Sequence, residues 1–154
     1  MDQYLLTLDA EAPHLDLSGY LFYGVIGAVY FVVQHAVLHV VLRMLYPRYN
    51  KMNSHDFHEY RMQVNALVHA CCATSFAIYC IYFTCQDGKT FMNDENCRLV
   101  PRNSHVWLCF FTASYLFVET VFIALYVGVT NRIDKQTLIH HVIGFLNYYI
   151  AFWQ

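Results

Sequence analysis

The chain has 154 residues, of which 58% are hydrophobic and 13% charged, with a formal net charge of −2 at neutral pH. So little charge argues against a soluble domain, which carries about 25% charged residues, and the absence of a basic excess gives no footing for nucleic acid. Tyr and Phe, at 13 and 12 residues, fit the aromatic richness of a membrane protein.

In chain order, residues 1–18 form a luminal or interfacial lead-in with acidic residues and no strong core pattern, followed by one membrane domain over residues 19–154. Four apolar stretches are read within it: Gly19 to Leu45, Val64 to Thr84, Val106 to Val129 and Leu138 to Trp153. Spanning a bilayer takes roughly 20 residues, so the first three qualify and the fourth is short. The first is too long to be a cleaved signal, and acidic residues precede it where a basic segment belongs. The expected fold class is therefore all-α, a polytopic bundle of about four transmembrane helices. Pro47 closes the first helix, and Ser54-His55-Asp56 supplies N-cap residue types for the second. Asp87-Gly88 and Pro101 punctuate the loop from Gln86 to Asn103.

Lys and Arg set the orientation. Arg43, Arg48, Lys51, Arg61, Arg132 and Lys135 fall on one side, against Lys89, Arg98 and Arg102 on the other. Positive charge stays cytosolic, which places the N-terminus and the Gln86 to Asn103 loop in a lumen. There an oxidising compartment lets Cys85 and Cys97 pair, whereas Cys71, Cys72, Cys80 and Cys109 lie in helices and read as buried structural thiols.

Ionisable groups within the apolar stretches are the candidates for function, because bilayer burial of such groups is costly and they are kept for a role. His140 and His141 open the fourth stretch; successive helix positions point about 100° apart, so at least one faces inward. Glu119 is the one acid inside a full-length span. At 1.5 Å per residue it lies roughly 18 Å from the cytosolic side, His35 about 16 Å, His69 about 12 Å and His140 about 5 Å. Depth thus makes His35 or His69 its partner. His35 and His39 share a helix face and, with His55, His58 and the His140-His141 pair, raise a membrane di-iron oxygenase as an alternative. The histidine boxes match only in part, interhelical hydrogen bonding is the commoner use of such residues, and neither metal nor other cofactor is expected.

Three runs carry a resemblance: Tyr60-Arg61 to Val68-His69-Ala70, Ser114-Tyr115-Leu116-Phe117-Val118-Glu119, and Leu138-Ile139-His140-His141-Val142-Ile143-Gly144-Phe145. In order and spacing, across about Phe57 to Trp153, they resemble the TLC-domain family, which includes ceramide synthases, translocating-chain-associated membrane proteins and the ceroid-lipofuscinosis neuronal protein type. The chain ends at Gln154, before the later acidic motif of ceramide synthases, and Glu119 stands where many members have Asp. The resemblance implies a partial TLC-like barrel, either a truncated or alternatively spliced product or one completed by a partner. It also implies a lipid or cargo cavity drawing on Glu119, His69, His35, Tyr115, Phe145 and Tyr148, and residence in the endoplasmic reticulum membrane. The expected role is binding of a membrane lipid, with an acyl or sphingoid chain, or of membrane-protein cargo. Two further alternatives stand beside it: an acyltransferase in which His140 or His141 is nucleophile or general base, with Phe145, Tyr148 and Tyr149 along an acyl channel, and a structural subunit of a membrane complex.

Overall fold

The computed structural model describes residues 17–85, 89–90, 92–99, 102–127 and 132–151. Within them the chain is helical: α1 (Leu17–Leu45), a 3-10 turn (Pro47–Lys51), α2 (Ser54–Phe83), the short α3 (Glu95–Leu99), α4 (Asn103–Phe122), one π turn (Ile123–Val127) and α5 (Arg132–Ala151). Residues 1–16 of the lead-in, Asp87-Gly88 and Pro101 lie outside the described residues, and the last two lead-in positions, Leu17 and Ser18, already belong to α1.

Three segments are long and apolar enough to cross a bilayer: Leu21–Leu45, Ser54–Phe83 and Asn103–Tyr126. Helix is the form they must take, since hydrocarbon offers no partner for backbone N–H and C=O groups and a helix satisfies both internally. The apolar side chains along α1, from Leu21 and Val25 to Val33 and Val40, stay exposed, as lipid contact requires and water would forbid. α5 is a full helix, yet its first turn carries charge and His140, His141 and Asn147 interrupt its apolar run. It does not join the three by length and hydropathy.

The start of α2 falls where its capping residue types place it. α2 begins at Ser54, well before the apolar stretch, and its N-cap is Asn53, whose side chain accepts from the Asp56 backbone N–H at 2.9 Å. His55, His58 and Arg61 therefore belong to the helix and not to the loop before it. Arg61 is buried: its guanidinium lies over the Phe57 and Phe122 rings and 3.0 Å from His58 Nδ1. The turn before α2 is anchored by Tyr49, fully buried and stacked on Phe57 (4.3 Å between centroids). Burial pushes its phenol above the usual range.

α4 is the central helix and by far the most buried of the three spans. α1 packs along one side of it, α5 along another, and α2 meets it as well. Close approach is set by glycines. A Cβ on Gly27 would clash with Ser114 Oγ, and one on Gly144 would stand 2.9 Å from Leu116 Cδ1, so α1 and α5 each settle on α4 where a side chain is missing. Phe31, Tyr115, Leu116 and Val118 form the core there, with Phe111, Phe122, Phe145 and Tyr148 packed against it.

At the other end of the molecule Cys85 and Cys97 are joined by a disulfide, with Cα atoms 5.7 Å apart. It ties the end of α2 to α3. The remaining thiols correct the expectation of uniform burial: Cys80 is buried and Cys109 partly so, but Cys71 and Cys72 are exposed, because that stretch of α2 turns its outer face to lipid.

Candidate functional site

The polar centre of the bundle is built by one imidazole or carboxyl from each of four helices: His35 on α1, His69 on α2, Glu119 on α4 and His141 on α5. All four are at least nine-tenths buried. Glu119 and His35 are in direct contact, with His35 Nε2 2.9 Å from Glu119 Oε1. The depth argument left His35 and His69 open as partners, and the packing of α1 on α4 selects His35.

Asn65 completes this contact and was not singled out by sequence. Its amide Nδ2 donates to Glu119 Oε1 and lies 3.1 Å from His35 Nε2, while its Oδ1 accepts from Gln34 Nε2 at 2.6 Å. Asn65 sits one turn before His69 on α2, so the periodicity of that helix was the signal that could have found it. Fully buried itself, it links three helices through two amides, an imidazole and a carboxyl. Behind the pair of His35 and Glu119, Phe122 stacks on the His35 ring at 4.1 Å.

The second half of the centre is aromatic. His69 stacks on Tyr115 at 3.9 Å and on Phe111 at 5.2 Å. His141 meets the edge of the same Tyr115 at 5.8 Å. Both histidines thus meet on Tyr115, and among the described residues neither hydrogen-bonds to Glu119. Consequently four buried atoms are left without a partner: His35 Nδ1, Glu119 Oε2, His69 Nε2 and His141 Nδ1. An unpaired buried polar atom is destabilising by about 1–3 kcal/mol, so four of them on four packed helices mark a polar centre whose hydrogen bonding is incomplete.

The remaining histidines are dispersed. His140 is exposed and its ring turns away from that of His141, so of the pair only His141 faces the interior. His39 packs against Phe57 and lies 3.4 Å from the Tyr49 hydroxyl, which ties the 3-10 turn to α1. His58 stacks on Tyr126 in the π turn and holds Arg61. His105 accepts from the Arg102 backbone N–H at 3.3 Å, at the start of α4. The six histidines of the di-iron alternative thus do not converge. Among the described residues, the group whose ligand atoms lie within 4.8 Å of one another is His55, Asp56 and Glu59, at the exposed start of α2.

Phe145 and Tyr148, expected along a lipid cavity, pack on the core beside Tyr115 and Leu116, and the Tyr149 side chain lies outside the described residues. A cavity of about 350 Å³ lies elsewhere, between α1, α2 and α4, with Phe111 as the wall it shares with the His69 stack. No family model, no characterised protein and no solved structure matches the chain.

Proposed function

We propose that the protein is a TLC-like integral membrane protein of the endoplasmic reticulum, N-terminus luminal, that binds a membrane lipid by its polar part at the four-helix centre. α5 serves as a fourth, shorter span of a partial barrel. The observation that carries this reading is the convergence of His35, His69, Glu119 and His141 within apolar helices, each with a buried atom left unpaired. A purely structural polar core closes its hydrogen bonds internally, whereas these atoms leave donor and acceptor capacity of the kind a hydroxyl, amine or amide headgroup satisfies. Binding is favoured over acyl transfer because His140 is exposed and no carboxylate holds His141, so neither member of the pair has the oriented partner that a general base needs.

The test is lipid mass spectrometry on protein purified in mild detergent, with Glu119→Gln and Glu119→Leu as paired variants. A bound acyl or sphingoid lipid in the parent, lost in both variants while each remains monodisperse, supports the reading. Loss of bound lipid only in proportion to loss of folded protein, with Leu far more damaging than Gln, assigns the centre to a structural subunit instead.

A further inference from the structure

Arg61 is a buried cation with no anion beside it. It is 8% exposed, its guanidinium lies 5.8 Å from the Phe57 ring and 5.3 Å from that of Phe122, and its Nη2 lies 3.0 Å from His58 Nδ1. The acids of the neighbouring helix segments are engaged elsewhere, Asp56 and Glu59 on His55 (3.7 and 3.8 Å) and Glu119 on His35, and no ion pair among the described residues includes Arg61. Ring contacts recover only part of the cost of taking a charge out of water, and an anion supplies the rest. Arginine can only donate, so His58 Nδ1 accepts and its ring presents a second donor at Nε2. Of the Arg61 donors, Nε is enclosed without a partner, whereas Nη1 is neither enclosed nor hydrogen-bonded among the described residues and is the edge open to a ligand.

Depth and surroundings identify the anion. α2 has 30 residues, which at 1.5 Å each is about 45 Å against about 30 Å of hydrocarbon, so its polar first turns, from His55 to Gln63, stand at the level of the lipid headgroups. Arg43, Arg48 and Lys51 lie at the same end of the bundle, in the last turn of α1 and the 3-10 turn after it. Burial pushes the Tyr49 phenol up while Arg61 and Arg43 pull it down, so both guanidinium groups act on one point beneath that turn. Phosphate is the anion of this layer, and its oxygens match the fork of a guanidinium. We propose that Arg61 and His58 bind a phosphate group at the mouth between the start of α2 and the π turn, with Arg43 adding to the field that draws it in. The site uses none of His35, His69, Glu119 and His141, so it stands or falls independently of the polar centre.

A phospholipid headgroup and a soluble phosphate both carry this group. Native mass spectrometry on the full chain in detergent, with dioctanoyl phosphatidic acid, dioctanoylglycerol or inorganic phosphate added, separates the two. Phosphatidic acid is expected to bind and the phosphate-free glyceride not. Arg61→Met should weaken phosphatidic acid binding about tenfold to hundredfold, the effect of losing charge-assisted hydrogen bonds. Lys135→Met, which removes an exposed cation at the start of α5, should leave it unchanged. Lipid that stays bound in excess inorganic phosphate assigns the site to a headgroup, and lipid displaced by it assigns the site to a soluble phosphate. In delipidated protein without phosphate, Arg61→Met should match or exceed the Tm of the parent, because an apolar side chain relieves an unpaired buried charge. Equal binding by the parent and Arg61→Met, equal binding of phosphatidic acid and the glyceride, or a Tm of delipidated Arg61→Met several degrees below the parent, which would show the charge compensated within the protein, overturns the proposal.

Discussion

At the scale of single residues, Asn65 is the most consequential side chain in the bundle, because one amide serves α1, α2 and α4 together. Replacing it with Leu removes its contacts to Gln34 Nε2, Glu119 Oε1 and His35 Nε2 and leaves Gln34 Nε2 without this acceptor, while His35 and Glu119 keep each other. Interhelical hydrogen bonds in membranes contribute about 0.6 kcal/mol each and at most about 1.7, so the loss of three shared contacts is expected to lower stability by about 2–4 kcal/mol. Thermal unfolding in detergent reads this out. Asn65→Asp, which keeps the shape but sets a second acid against Glu119, should be as damaging as Leu; a variant within 0.5 kcal/mol of the parent, on the order of a surface substitution, would show the contact to be dispensable. Sequence located Glu119 and His35 by their cost in an apolar helix. It passed over Asn65 because a neutral amide is a weak anomaly, and its value arises only when three helices meet.

At the scale of elements, the two glycine contacts decide where α1 and α5 sit. Gly27→Leu drives α1 away from Ser114 and, with it, His35 away from Glu119; a Tm lower by several degrees is expected, whereas Gly24→Ala, whose added Cβ meets nothing within 4 Å, should leave Tm unchanged. Equal effects of the two would mean that α1 does not pack on α4 through this face. The loop end gives a second prediction. A water-soluble maleimide on the native protein in a bilayer should be slow at all four helix thiols, Cys71 and Cys72 because they face lipid and Cys80 and Cys109 because they are packed, and reduction should add two fast thiols at Cys85 and Cys97. Loss of this bond should destabilise by about 2–3 kcal/mol, as expected for closing a short loop. The early start of α2 was legible in its capping residues, while the exposure of Cys71 and Cys72 was not, since which side of α2 faces lipid depends on where α4 lies.

At the scale of the whole molecule, positive charge on one face fixes the expected orientation. Glu95→Ser creates an acceptor at Asn93 and Met52→Ser one at Asn50; in microsomes the first is expected to be glycosylated and the second not, and the opposite pattern would invert the topology. Dispersal of the histidines predicts no stoichiometric iron in purified protein by elemental analysis, and iron at about two per chain, lost on His141→Ala, would restore the oxygenase alternative. Composition and hydropathy alone determined that the chain is helical with segments long and apolar enough to cross a membrane, because the bilayer admits few other backbones and a run of apolar residues reports the environment it suits. The same reasoning marked Glu119, His35, His69 and the His140-His141 pair, since an ionisable group in lipid is visible without neighbours. Only the tertiary structure decided that His35 and not His69 pairs with Glu119, that His141 turns inward while His140 does not, and that the aromatic groove opens between α1, α2 and α4. Each of those depends on the rotation and separation of one helix against another, and these are set by contacts such as Gly27 on Ser114 that no single segment contains.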